Sequence, residues 1–532
     1  MASYLDSAPI LTRRAVVGLI ASPAAFQREE TKLGKIDFPA SGSPQARERF
    51  LRGVMYLHSF EYDDAREEFT AARQADPSFV MAYWGEAMTY NEPLWYRQDT
   101  ESARKALARL APARDERLKR AATPRERAWL GTVEVLYGSG SKEQRDFAYS
   151  DAMRQLWSTY PNDMEAASFY ALSLLGTSHH GRDTRIYMQA AAVAEEVFAR
   201  NREHPGALHY LIHCYDDPLH APLGLRAARI YAKVAPAAAH ALHMPSHIFI
   251  AMGMWDDVVS SNEDSWAASE ARYKRKNLPL EDRGYHALWW LEYAYLQQGR
   301  YKEARRLLSI VEEDAVRSPS PFIRFHAAHM RSAYAVETGQ QEVYQKALDL
   351  SDLDTPATVS YLFGRGFPAA VQGDAEPAVA ALARIREHRN AAGTRQAAGG
   401  HEHHFYPPDL QVAGIVEKQL EGVIAMAARE TNHGLQLLSE AVAIENKMPF
   451  EFGPPVPPKP ARELLGEMLL AANQPREAQK HFALALERAP RRSLSLLGIA
   501  RSARRVGDVV SAKAAYAELA QVRKKADVEW AE

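Results

Sequence analysis

The sequence predicts an all-α fold, a right-handed superhelical solenoid of about nine to twelve tandem helix pairs. Three observations predict it. Small residues, an aromatic and a proline recur at fixed offsets within a unit of about 34 residues. Segments alternating with period two are scarce, and alanine, leucine, glutamate and arginine dominate. Nine of the 19 histidines fall on the same side of the first helix of successive units. With 532 residues and 46% hydrophobic content, the chain can build a long core.

The first unit is the clearest. With Ala46 as position 1, Gly53 is position 8, Tyr56 position 11, Ala65 position 20, Phe69 position 24, Ala72 position 27 and Pro77 position 32. Small residues at 8, 20 and 27 let two antiparallel helices approach closely. The aromatic fills the gap between them, and proline ends the second helix. Gly466, Ala478, Phe482, Ala485 and Pro490 hold the same spacings, and Ala500, Gly507, Ala512 and Tyr516 continue them. Weaker copies run through Tyr295, Gly299 and Ala304, through Gly366, Gly373 and Ala378, and through Gly422, Leu438 and Ala441. On these residues the chain resembles tetratricopeptide-repeat proteins over most of residues 45–520. The segment Phe38 to Trp95, with His209-x-x-x-His213 and His243-Met-Pro-Ser-His247-Ile-Phe, resembles a bacterial family of exported tetratricopeptide proteins. That resemblance implies the fold and names no activity.

Residues 1–44 read as leader and linker, and 45–160 as an N-terminal repeat region with a loop at Gly138 to Lys142. Residues 161–390 form a divergent, histidine-rich repeat region, 391–411 a Gly/His/Pro loop, and 412–532 the C-terminal repeats. An extended connector at Pro449 to Pro460 interrupts the last of these. In the leader, Arg13-Arg14 precede a short, mildly hydrophobic stretch and the small residues Ala21 to Ala25. This is the pattern of a twin-arginine export signal, so a periplasmic or otherwise exported protein is expected; the alternative is a cytoplasmic one with a disordered lead-in. The stretch is too short to span a bilayer as a mature helix, and no integral membrane span is expected elsewhere. The single cysteine, Cys214, forbids an internal disulfide. A net charge of −2 gives no electrostatic footprint for nucleic acid. The basic stretch Arg104 to Lys119 also carries acids and apolar residues, and reads as solvated helix faces. No His-Glu-x-x-His, phosphate-binding loop or dinucleotide glycine motif is present.

The chemistry lies in the histidines. In the first helix of a unit, positions 4, 7, 8 and 11 carry core residues, and positions 2, 5, 9, 12 and 13 form the opposite arc. The tetratricopeptide resemblance implies that this arc lines a concave, ligand-binding surface. Registered on their apolar cores, the divergent units put His209, His213 and Asp216 on it, then His240, His243 and His247. The following units add His286, Trp289 and Tyr293, then His326 and His329. His58 and Trp84 extend the face toward the N-terminus.

Two His-x-x-x-His pairs on neighbouring first helices can supply four nitrogen ligands. His209, His213, His243 and His247 are therefore expected to hold a transition metal (Zn, Cu, Fe or Ni). Asp216, His240 and Tyr293 are expected to orient them or to take part in acid–base chemistry. His58, Trp84, His286, Trp289, His326 and His329 are expected to line the ligand groove. Pro245 must start a helix or bend one, which loosens the register of His240 and His243. Glu86, Glu292 and Arg331 put charge at core positions. The last two lie one unit apart and are expected to pair; otherwise the carboxylates face the groove. His401, His403, His404 and Tyr406 form either a lid or a solvated loop. Two functions follow. One is a metal-dependent protein, binding or catalytic, for a small molecule. The other is a non-catalytic scaffold taking an extended peptide or a partner's tail. The local, titratable, aromatic-walled patch favours the first.

Overall fold

The computed structural model describes residues 31–397, 409–450 and 452–527. Arg13-Arg14, and the cluster His401, His403, His404 and Tyr406, lie outside the described residues. The described chain is an all-α, tetratricopeptide-like solenoid. Successive helices pack antiparallel, and the first helix of a unit also touches the first helix of the next. Thus Pro44–His58 packs on both Tyr62–Ala75 and Val80–Met88, and Tyr285–Gln297 on both Tyr301–Arg317 and Pro321–Thr338. Among the described residues the one sheet is a hairpin, in which Asn91–Glu92 pairs with Arg97–Gln98. No helix there is long and apolar enough to cross a membrane.

The unit's spacing has a direct packing cause. Phe69 is fully buried between two first helices. A Cβ added at Gly53 would come within 2.7 Å of its ring, and one at Gly85 would overlap it outright. Phe482 stands in the same relation to Gly466 and Gly498. The glycines let the aromatic wedge lie against both helix backbones.

The solenoid does not stay open. Near the N-terminus Lys35 N–H donates to Glu203 O (2.8 Å), docking the segment around Lys35 on the middle units. At the other end Trp255 Nε1 donates to Arg491 O (3.0 Å), Arg491 Nη1 to Gly253 O (3.1 Å) and Asp527 N–H to Gly299 O (2.9 Å). The connector Met448 to Pro460 then crosses the concave side, and the expected groove becomes a cavity of ≈ 470 Å³.

Three expectations need correction here. Arg331 does not pair with Glu292. Its Nε donates to Glu312 (2.6 Å) and its Nη1 to Lys346 O (2.8 Å). Glu292 is buried with neither oxygen hydrogen-bonded among the described residues, and burial pushes its carboxyl well above the ordinary range, so it keeps its proton. Glu86 does not face the groove, being neutralised by Arg73 (3.1 Å) and Arg109. Residues 391–397, expected as the start of a loop, are instead the end of the helix Ala375–Ala397, which continues through Gly393.

Candidate metal centre

Three elements bring the histidines together. The first is Pro205–Tyr215, capped by His204, whose Nδ1 accepts from Ala207 N–H (3.1 Å). It carries His209 and His213 one turn apart, with ring centroids 4.9 Å apart. The second is divided by Pro245 into Ala239–His243 and Pro245–Ala251, since proline lacks the N–H that would continue the ladder. The break keeps His243 and His247 adjacent (5.1 Å) and leaves His240 beside His209 (5.0 Å). With His213–His247 at 5.2 Å and His240–His243 at 5.8 Å, five imidazoles form a closed ring. The third element, Tyr285–Gln297, adds His286 at 4.7 Å from His243.

The hydrogen bonds fix which nitrogen is available. His209 Nδ1 donates to the His58 carbonyl (2.6 Å), and His243 Nδ1 to Asn262 Oδ1 (2.6 Å). Asn262 Nδ2 is used by Val258 O (2.8 Å), so its oxygen is the end facing the ring. His247 Nδ1 donates to Asp216 Oδ2 (3.0 Å), and His213 Nδ1 points at the same oxygen (3.4 Å). Carbonyl and carboxylate oxygens only accept, so each of these rings carries a proton on Nδ1, and in the neutral ring the lone pair is on Nε2. Burial pushes His209 and His243 well below the usual imidazole range and His247 down to about 4, so all three are neutral at pH 7.

The lone pairs have no protein donor. Nε2 of His209, His213 and His240 is buried with no hydrogen-bond partner among the described residues. Nε2 of His243 faces Nε2 of His247 at 3.2 Å, two acceptors in contact. Burial disfavours the imidazolium that would bridge them. Two nitrogens each 2.0–2.1 Å from a tetrahedral ion stand about 3.3 Å apart, so the spacing suits a metal.

Asp216 is the hub beneath the ring. Burial alone would raise its carboxyl, but Arg182 (2.5 Å) and the bonds from His213 and His247 outweigh burial and hold it below the ordinary range. Oxygen acceptors behind ligating imidazoles fix their tautomer and orientation.

A second buried cluster has the opposite character. Glu165 joins His58 Nε2 (2.7 Å) and His204 Nε2 (3.0 Å). The other nitrogens go to Tyr210 OH (2.8 Å) and Ala207 N–H. Burial would raise Glu165, yet the two histidines bring it down to about 2. Every nitrogen is used, so this is a structural tie between three helices.

The remaining expected residues divide. His286, Trp289, Tyr293, His326 and His329 line the cavity together with His213, Asp216, His240 and His247. His58 and Trp84 do not. Trp84 packs among Phe38 (5.7 Å), Trp129 (5.1 Å) and Phe169 (5.4 Å), because added helices and the N-terminal segment fill the concave side there. His240 belongs with the donor nitrogens rather than behind them. Tyr293 does not orient the histidines: its hydroxyl accepts from Arg492 Nη1 (2.5 Å). His209, His213, His243 and His247 do not close on one point. Besides His58/Glu165/His204, the mutually close donor sets among the described residues are His209/His213/His240, His243/His247/His286 and His213/Asp216/His247. Sequence reasoning missed Asn262, Arg182 and Trp290, which stacks on His247 at 4.4 Å. It also missed Phe452 of the connector, 4.8 Å from the His247 ring. Only the proline-rich composition of the connector marked that segment.

No protein-family profile matches the chain, and no curated protein is significantly similar to it. Solved structures similar to it include the APC/C hetero-tetramer Cut9–Hcn1, at 11% identity over 88% of this chain and 78% of that one (TM-score 0.35). The human IFIT1 dimer with m7Gppp-AAAA is similar at 12% identity over 93% and 92% (TM-score 0.33). Yeast Tom70 is similar at 12% identity over 91% and 97% (TM-score 0.32). The fold assignment rests on the helix packing above, and these likenesses carry no functional argument.

Proposed function

We propose that this protein binds transition metal through its buried histidines and uses it on a small molecule held in the cavity. The observation that carries the reading is the pairing of committed Nδ1 donors with unpartnered Nε2 lone pairs. In the neighbouring buried cluster His58 and His204 use both nitrogens. Imidazole donors suit Zn, Cu, Fe or Ni. A metal there would polarise a bound oxygen or lower the pKa of a bound water.

The cavity supports a compact ligand. Its ≈ 470 Å³ falls within the usual range for small-molecule sites. Beyond the histidines its wall is in part aromatic, with Trp289 stacked on His329 (4.7 Å) and Phe452 and Trp290 over His247, and it also carries the charged residues Glu92, Arg97, Arg182, Glu445, Arg462 and Arg488. This favours a flat molecule that bears polar groups, with one oxygen or nitrogen for the metal. An extended peptide along the concave side would have to displace the Met448 to Pro460 connector, which counts against the scaffold alternative.

Elemental analysis of untagged protein tests the reading. Wild type should retain metal, and His213→Ala should lose at least tenfold in affinity with its helical signal and melting cooperativity kept. Protein that takes up no metal after incubation with each of the four ions would remove the proposal.

A further inference from the structure

Six imidazoles are more than one ion uses. A tetrahedral catalytic site takes three protein ligands and keeps its fourth position open. The six here divide by position into two sets of three. His209, His213 and His240 have donor atoms within 4.8 Å of one another, and so do His243, His247 and His286. Among the described residues no mutually close set contains both His209 and His243. The sets adjoin at His213 and His247 (ring centroids 5.2 Å) and at His240 and His243 (5.8 Å), and Asp216 takes the Nδ1 of His213 and of His247 on one oxygen, while Arg182 takes the other.

We infer that the centre holds two ions, one on His209, His213 and His240 and one on His243, His247 and His286, with Asp216 as their shared outer carboxylate. The inference rests on the metal reading above and adds its stoichiometry and donor class. Each set ends in a half-buried member at the cavity, His240 in one and His286 in the other, so both open positions face the same space. The donors are all imidazole nitrogen. Cys214, the sole thiol, is in neither set, and the Asp216 carboxylate lies on the Nδ1 side of His213 and His247. Nitrogen-only sets suit copper or zinc, whereas two-histidine, one-carboxylate sets suit non-haem iron.

The test is a titration of metal-free, untagged, full-length protein with Zn(II) and, separately, Cu(II), read by calorimetry and by metal analysis after gel filtration. Wild type should take two equivalents. His240→Ala and His286→Ala should each take one, and Asp216→Asn should weaken both about 10- to 100-fold, as loss of an outer partner does. Both alanine variants change half-buried positions, and far-UV circular dichroism with thermal melting checks their folding. The wild-type count stands whether or not they fold. One equivalent in wild type would overturn the two-ion inference while leaving the metal reading in place. Loss of both equivalents in either folded alanine variant would overturn the division into two sets. No uptake would overturn both readings.

Discussion

Glu292 and the histidines show what burial does to single residues. Both are cut off from water, but the histidine Nδ1 atoms have oxygen acceptors and the Glu292 oxygens have none. A carboxyl raised by burial holds its proton in the folded state where the unfolded chain has lost it. The folded state then binds more protons, so stability falls as pH rises above the ordinary value of 4.5. Glu292→Gln removes that dependence. Its melting temperature should exceed wild type at pH 7 and match it near pH 4; an equal gain at both pH values would contradict the assignment. Little of this was legible in the sequence. Position within a unit marked Glu292 as core, but whether Arg331 reached it depended on Glu312, nineteen residues away, which takes the guanidinium instead. His209 and His213 were legible because a spacing of four puts both on one helix face. Asn262 was not, because its tie to His243 is set by how two helices pack.

At the scale of the element, the glycine–aromatic wedge was fully legible, since it depends on fixed offsets in one or two neighbouring helices. It also makes a prediction against propensity. A glycine in the middle of a helix ordinarily costs roughly 0.5–1 kcal/mol relative to alanine. Gly498 lies inside Ser493–Val506, yet an added methyl would run into the Phe482 ring. Gly498→Ala should therefore destabilise, by about 1–3 kcal/mol as for overpacking of a filled core. Denaturant titration showing a gain would contradict the wedge. The division at Pro245 was legible as a choice between a start and a bend. The structure has both: two short helices joined at Met244, still in the helical conformation (φ −54°, ψ −36°). That geometry keeps all three of this element's histidines in the ring.

Across the whole molecule, local spacing could not foretell closure. The repeat pattern predicts an open concave side, and the structure encloses it through contacts between residues more than 150 apart in sequence. Arg492 is the centre of one such contact. Fully buried, it donates to both oxygens of Glu463 (2.8 and 2.9 Å), to Glu337 and to Tyr293 OH (2.5 Å), joining four helices. Arg492→Met would leave buried Glu337 without its cation and Glu463 with Lys459 alone (2.9 Å), and should cost about 3–5 kcal/mol; a loss below 1 kcal/mol would show that the closure does not depend on it. Closure is also what makes the histidine ring a site, by enclosing it and setting Phe452 of the connector against His247 (4.8 Å). The most direct test of that claim is X-ray absorption at the metal edge of wild-type protein loaded with Zn(II) or Cu(II). The account predicts a first shell of nitrogen at about 2.0–2.1 Å for zinc, with outer-shell scattering from imidazole rings and no sulfur near 2.3 Å. A shell made mostly of oxygen without imidazole scattering, or one containing sulfur, would contradict it.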